Sequence, residues 1–114
     1  GPPPLPPTAP RTENVPRVFG VTNTNARIVI RATDRAQIFV KQAGGRTVLP
    51  HRVLQAGDEY RAPDLDGLLI RSDNVNGLEL VVDGKSLGPV GRLSDSQNNL
   101  ALDPDWLLKN AGTR

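Results

Sequence analysis

LELVVDGKSLGPVG, residues 78–91, decides the fold. Leu78, Leu80 and Val82 fall on one side of an alternating run, with Glu79 and Val81 on the other, the pattern of a half-buried strand. Asp83-Gly84 then supplies the turn. A type I′ turn needs positive φ at both central positions, which Asp tolerates and Gly adopts freely. Beyond the turn the only polar side chains are Lys85 and Ser86, and the sequence offers neither a chemical partner. The stretch reads as two strands of a meander, specified locally and built to hold a shape.

The same period of two runs upstream. In ARIVIRA, residues 26–32, Ile28 and Ile30 share one face, with Arg27, Val29 and Arg31 on the other. AQIFVKQ, residues 36–42, puts Ile38 and Val40 on one face and Gln37, Phe39 and Lys41 on the other. Ala43-Gly44-Gly45 is a turn into RTVLPHRVL, residues 46–54. Pro50 interrupts that run, which predicts an edge strand or a bulge. A short strand follows Gly57-Asp58, PDLDG (63–67) breaks the chain again, and LLIRS (68–72) is the next strand. RVFGV, 17–21, is a further strand expected on an edge. Short strands with turn signals every ~8–12 residues predict an all-β domain. The expected architecture is a small β-sandwich or partly open barrel of about six to eight short, mostly antiparallel strands, closed by a short C-terminal helix or tail. Ile28, Ile30, Ile38, Val40, Ile70, Leu78, Leu80 and Val82 are its predicted core.

The two ends differ from this middle. GPPPLPPTAP opens the chain with six of its eleven prolines, and Gly1-Pro2 has the form of a pair left by tag cleavage. Proline fixes φ and removes a donor, so residues 1–15 read as an extended, solvated linker. Residues 16–92 form the expected β domain and 93–114 a polar tail. Within that tail Asp103 precedes Pro104, an N-cap followed by a first-turn proline, which predicts a short helix near 103–110. A helix this short is marginal unless Trp106 and Leu107 dock on the sheets.

Composition narrows the function. The 114 residues hold fourteen basic and twelve acidic side chains, net +2, dispersed along the chain. There is no basic block of the kind that tracks a phosphate backbone, so nucleic acid is not an expected partner. With no cysteine, disulfides and thiolate metal sites are excluded. No apolar run approaches the roughly 18–20 residues needed to span a bilayer.

Nothing in the sequence marks a reaction centre. His51 is the single histidine and has no spaced ligands or base partner, so it reads as an ordinary strand residue beside Pro50. Asp64 and Asp66, and Asp103 and Asp105, have D-x-D spacing. A calcium loop needs more oxygen ligands in a fixed frame and usually a bidentate Glu, which PDLDG lacks. Gly84, Gly88 and Gly91 open no helix and are not a phosphate cradle. No catalytic residue, cofactor or metal is expected, and the chain is read as a non-enzyme.

The ordered pieces RVFG (17–20), ARIVIRATD (26–34), RVLQAGDEYRAPD (52–64), GLLIRSDNVNGLELVVDGKSLGPVG (67–91) and ALDPDWLL (101–108) resemble the C-terminal domain of RodZ-type proteins. The likeness covers most of the chain beyond the linker, and its arginine-rich version is similar to alphaproteobacterial members. The resemblance implies a β domain at the periplasmic end of a bitopic inner-membrane cell-shape protein. In that family a cytoplasmic helix-turn-helix domain that binds an actin-like filament protein, a transmembrane helix and a proline-rich linker come first. This sequence departs from the family where many members carry an aromatic early in the second strong strand: here Gln37 stands there, with Phe39 two residues on.

The implied function is a non-enzymatic scaffold that contacts protein partners of the cell-wall elongation machinery. The alternative is a glycan-binding module, although one Trp, one Tyr and two Phe offer few platforms for sugars. A hydrolase would need a catalytic set that is not visible. The candidate partner contact is the outward face of the second strong strand, Gln37, Phe39 and Lys41. A competing arrangement packs Phe39 beneath the Trp106 tail or in a second core layer.

Overall fold

The structure is a computed structural model that describes residues 17–20, 26–95 and 99–111. The linker expected over 1–15 lies outside these residues, as do Pro16, Val21 and parts of the 93–114 tail. The strands are β1 (Val18–Phe19), β2 (Ile28–Ala32), β3 (Ala36–Gln42), β4 (Arg46–Leu54), β5 (Glu59–Arg61), β6 (Leu68–Ser72), β7 (Leu78–Val82), β8 (Lys85–Pro89) and β9 (Leu100–Ala101), followed by helix α1 (Pro104–Ala111). They form two sheets, ordered β1-β5-β2-β7-β8 and β4-β3-β6-β9. Every pairing is antiparallel except β1 with β5. The architecture is the expected all-β sandwich.

The period of two fixes which face is inside. Ile28, Ile30 and Ala32 of β2 are buried, as are Ile38 and Val40 of β3 and Leu78, Leu80 and Val82 of β7. All eight predicted core residues lie in one cluster. Ile30 stands at its centre, opposite Tyr60 on one side and Leu80 on the other. Burial pushes the Tyr60 hydroxyl up to about 12, because the phenolate would lose its hydration.

The β7–β8 hairpin is as its sequence predicts. Asp83 and Gly84 have φ of 53° and 80°, and Val82 faces Lys85 across the two-residue turn. The ladder then slips: Val81 pairs Ser86 but Leu80 pairs Gly88, leaving Leu87 as the extra residue of a bulge. Gly88 therefore lies within a strand at φ 89°. The Arg92 side chain folds back over it, and its Nη1 donates to the Leu87 carbonyl at 3.2 Å.

The C-terminal stretch is part of the core. Leu100 pairs with Ile70, the Leu102 N–H donates to the Leu68 carbonyl at 2.8 Å, and Leu100, Leu102 and Leu107 are all buried. At the start of α1, Asp103 Oδ1 accepts from the N–H groups of Asp105 and Trp106, at 3.2 and 3.4 Å. Of the two residues whose docking would steady this short helix, Leu107 is buried and Trp106 remains 44% exposed. Successive helical residues point ~100° apart, so a helix lying on the sandwich cannot bury both equally.

One buried charge holds the N-terminal side. Asp58, 1% exposed, accepts from Arg17 N at Oδ1 (2.9 Å) and from Arg17 Nε, Arg17 Nη2 and Gln55 N at Oδ2 (3.1, 2.7 and 2.9 Å). Burial alone would raise its pKa. The Arg17 guanidinium and the two backbone N–H groups outweigh that and hold the carboxyl below its ordinary value. The guanidinium groups of Arg17 and Arg52 each lie over the Phe19 ring of β1, 5.1 and 4.8 Å from its centre, so β1, paired with β5 of one sheet, also touches Arg52 of β4 in the other.

Candidate functional site

β3 runs between β4 and β6, and its alternation turns Gln37, Phe39 and Lys41 toward solvent, all three half-buried. Phe39 faces Arg71 of β6 directly. On the β4 side Ile38 pairs Arg52 and Val40 pairs Leu49, so Pro50 and His51 together stand opposite Phe39. Proline cannot donate to the ladder, and this bulge answers that loss. It also re-aims His51, whose ring stacks on Phe39 with centres 4.8 Å apart and planes 30° from parallel.

The upper end of the face is tied down by backbone contacts. Gln37 N donates to Asp73 Oδ1 at 2.9 Å, and Asp73 N donates to the Gln37 carbonyl at 3.3 Å. Ser72 Oγ accepts from Asn74 N at 3.1 Å. Gln37, Phe39, His51, Arg71, Ser72 and Asp73 line a shallow depression of about 180 Å³. The structure thus brings Gln37 and Phe39 together and sets Lys41 farther along the same face, between Thr47 and Leu69. The polar groups of Ser72 and Asp73 hold backbone in place, and no catalytic relay with His51 is formed among the described residues. Phe39 does not pack under Trp106: its ring partner is His51, and α1 lies against β7 of the other sheet.

The opposite face is electrostatically closed. Arg31 bridges Glu59 and Glu79 at 3.3 Å each, and Ser86 Oγ donates to Glu79 Oε2. Arg27 grips Asp83 with two bonds of 2.9 and 2.8 Å and reaches Asp105 at 3.4 Å. Their mutual attraction raises the Arg27 pKa and lowers that of Asp83. Ser86, without a partner in the sequence reading, finds one across the strand. The four carboxylates Asp64, Asp66, Asp103 and Asp105 gather with Arg27 around an end of the sandwich. Among the described residues no group of three or more His, Asp or Glu side chains could hold a metal ion.

Sequence reasoning missed His51 and Arg71 as parts of the candidate face. Arg71 was legible as the outward residue of LLIRS. His51 was not, since its direction depends on the bulge. A protein-family model described as the RodZ C-terminal domain matches residues 29–100. No curated protein and no solved structure matches the chain. The matched span holds β3 and the whole Phe39 face and more than half of the 114 residues, and the order of sequence pieces from ARIVIRATD to GPVG agrees with it. The chain belongs to the RodZ C-terminal domain family, a domain of RodZ-like cell-shape proteins.

Proposed function

We propose that this domain is a non-enzymatic interaction and scaffold module on the periplasmic side of a membrane-anchored RodZ-like protein. There it links the actin-like cytoskeleton to protein partners of the wall elongation machinery. Family membership supports the cell-shape role. The observation that carries the interaction role is the Phe39–His51 stack, a half-buried aromatic pair held on an outward sheet face. Large rigid side chains dominate interface energies, and a stack fixed by a bulge loses little freedom on binding. A glycan-binding role has less support, because one face of the Phe39 ring is already covered by the imidazole.

The test is photo-crosslinking in cells from a photo-reactive residue at Gln37, with Val81 on the opposite face as control. Protein adducts from position 37 and few from 81 are expected. Phe39→Ala should weaken the adducts and leave the thermal midpoint nearly unchanged. A large fall in the midpoint would make Phe39 a core residue, and adducts from 81 alone would place the partner on the other sheet. Adducts digested by a muramidase would favour the glycan reading.

A further inference from the structure

The cations of the two faces are treated differently. On the β2–β7 face, Arg27 and Arg31 each meet two carboxylates. On the β3–β6 face, Arg71 stands beside Phe39 and Lys41 two residues farther on, and neither forms an ion pair among the described residues. Asp73, the carboxylate at that end, accepts from the Gln37 backbone and faces Arg35 at 3.9 Å. Phe39 and Arg71 are directly opposite, and Lys41 is the next outward residue of β3, so one cation lies across from the ring and the other beyond it along the strand, diagonal to each other at about 7 Å.

We propose that the Phe39 face binds an acidic segment of a protein partner, with an apolar side chain set against the Phe39–His51 stack and Asp or Glu residues on either side meeting Arg71 and Lys41. This rests on the interaction role proposed above and names the chemistry of the partner. Charge complementarity selects an acidic occupant, because the face presents cations that nothing in the described fold neutralises. The aromatic pair selects an occupant with an apolar group between its charges, which a bare anion does not supply. The partner lies across the face. Adding a strand at the β4 edge would meet Pro50 and two register shifts, which interrupt the row of backbone donors and acceptors.

Two sets of variants separate this inference from the reading beneath it. Capture is measured by crosslinking from Gln37 in cells carrying the full-length protein. With the purified domain, binding of a synthetic peptide with a central Leu flanked by Glu is followed by fluorescence anisotropy at low and high salt. Gln-flanked and Lys-flanked versions are the controls. Lys41→Gln and Arg71→Gln should each weaken capture about two- to fivefold, with the Glu substitutions weaker still and the thermal midpoint unmoved. The Glu-flanked peptide should bind best and lose affinity in high salt. If Phe39→Ala abolishes capture but the charge variants do not change it, the partner is not acidic and the interaction role stands. Stronger capture by the Lys41→Glu variant, or preference for the Lys-flanked peptide, overturns the proposal outright. If neither Phe39→Ala nor the charge variants affects capture, the face itself is not the interface.

Discussion

Arg17 and Asp58 lie 41 residues apart and meet through three donors: the Arg17 backbone N–H takes one carboxylate oxygen, and Nε and Nη2 share the other. Asp58 is buried whereas Arg17 is 44% exposed in its side chain, so the contact joins a charge inside the fold to one at its surface. The fully bonded carboxylate explains how an ionised Asp is tolerated there.

The pH dependence of stability follows. The folded-state pKa of Asp58 is below its ordinary value of 3.8. The group therefore contributes stability that is complete above that value and is lost as pH falls through the lower folded value. Asp58→Asn should cost about 1.5–3 kcal/mol at neutral pH, the range of charge-assisted bonds, and should flatten the acid limb of the stability profile. Urea titrations at neutral and acidic pH check this. An unchanged acid limb in the variant would assign the acid sensitivity to other carboxylates.

At the alkaline end the sign is set by Tyr60. Its folded pKa, about 12, exceeds its ordinary value of 10.0. Between these values the unfolded chain releases the proton and the folded one keeps it, so stability falls as pH rises through the window. Tyr60→Phe should remove that part of the fall while leaving the neutral midpoint little changed. Denaturation midpoints across the alkaline range are the measurement.

Cross-strand partners at the centre should behave as a coupled pair. Ile30→Ala and Leu80→Ala should each cost about 2–5 kcal/mol, since both side chains are buried and face each other. Their double variant should depart from additivity by at least ~0.5 kcal/mol. Losses below ~0.5 kcal/mol at both sites, the level of surface substitutions, would place these residues outside the core.

Gly88→Ala should damage the domain as an in-strand glycine would. Its φ of 89° disfavours any side chain, and a Cβ there would stand 3.0 Å from Arg92 Nη1. A cost of about 1–2 kcal/mol is expected from the backbone conformation alone. At Gly84, a Cβ would meet nothing within 4 Å, so Gly84→Ala carries only the positive-φ penalty. Thermal midpoints for the two variants should fall in that order. Equal midpoints would mean that Arg92 moves aside without loss, and a larger fall for Gly84→Ala would overturn the assignment of the extra cost to Arg92.

In α1 the two candidate docking residues separate. Leu107→Ala should lower stability by about 2–5 kcal/mol, and Trp106→Ala by less than ~1 kcal/mol. Equal effects would mean that the helix turns its other side to the sandwich.

The alternating strands were legible because a buried face imposes its own period on the sequence: Ile28 and Ile30, Ile38 and Val40, and Leu78, Leu80 and Val82 all point inward as read. The Asp83-Gly84 turn was legible because its backbone demands those residues. Features that depend on distant contacts were not. Nothing local marks Asp58 as buried, since its partner Arg17 enters from the other end of the domain. Leu100 and Leu102 have too short a strand around them for a period to show. At the candidate face, alternation gave the direction of Gln37, Phe39 and Lys41. The stack of His51 on Phe39 depends on a bulge that Pro50 only suggests.

The four strands that terminate the sheets are each unsuited to templating an added neighbour. β1 and β9 have two residues apiece, β4 carries Pro50 and two register shifts, and Arg92 occupies the Leu87 carbonyl of β8. A sandwich open at both sides would ordinarily zip into aggregates when copies are concentrated. Among the described residues, these features disfavour backbone pairing between copies at each edge. The sheets therefore end in edges that offer a neighbouring copy little continuous backbone to pair with.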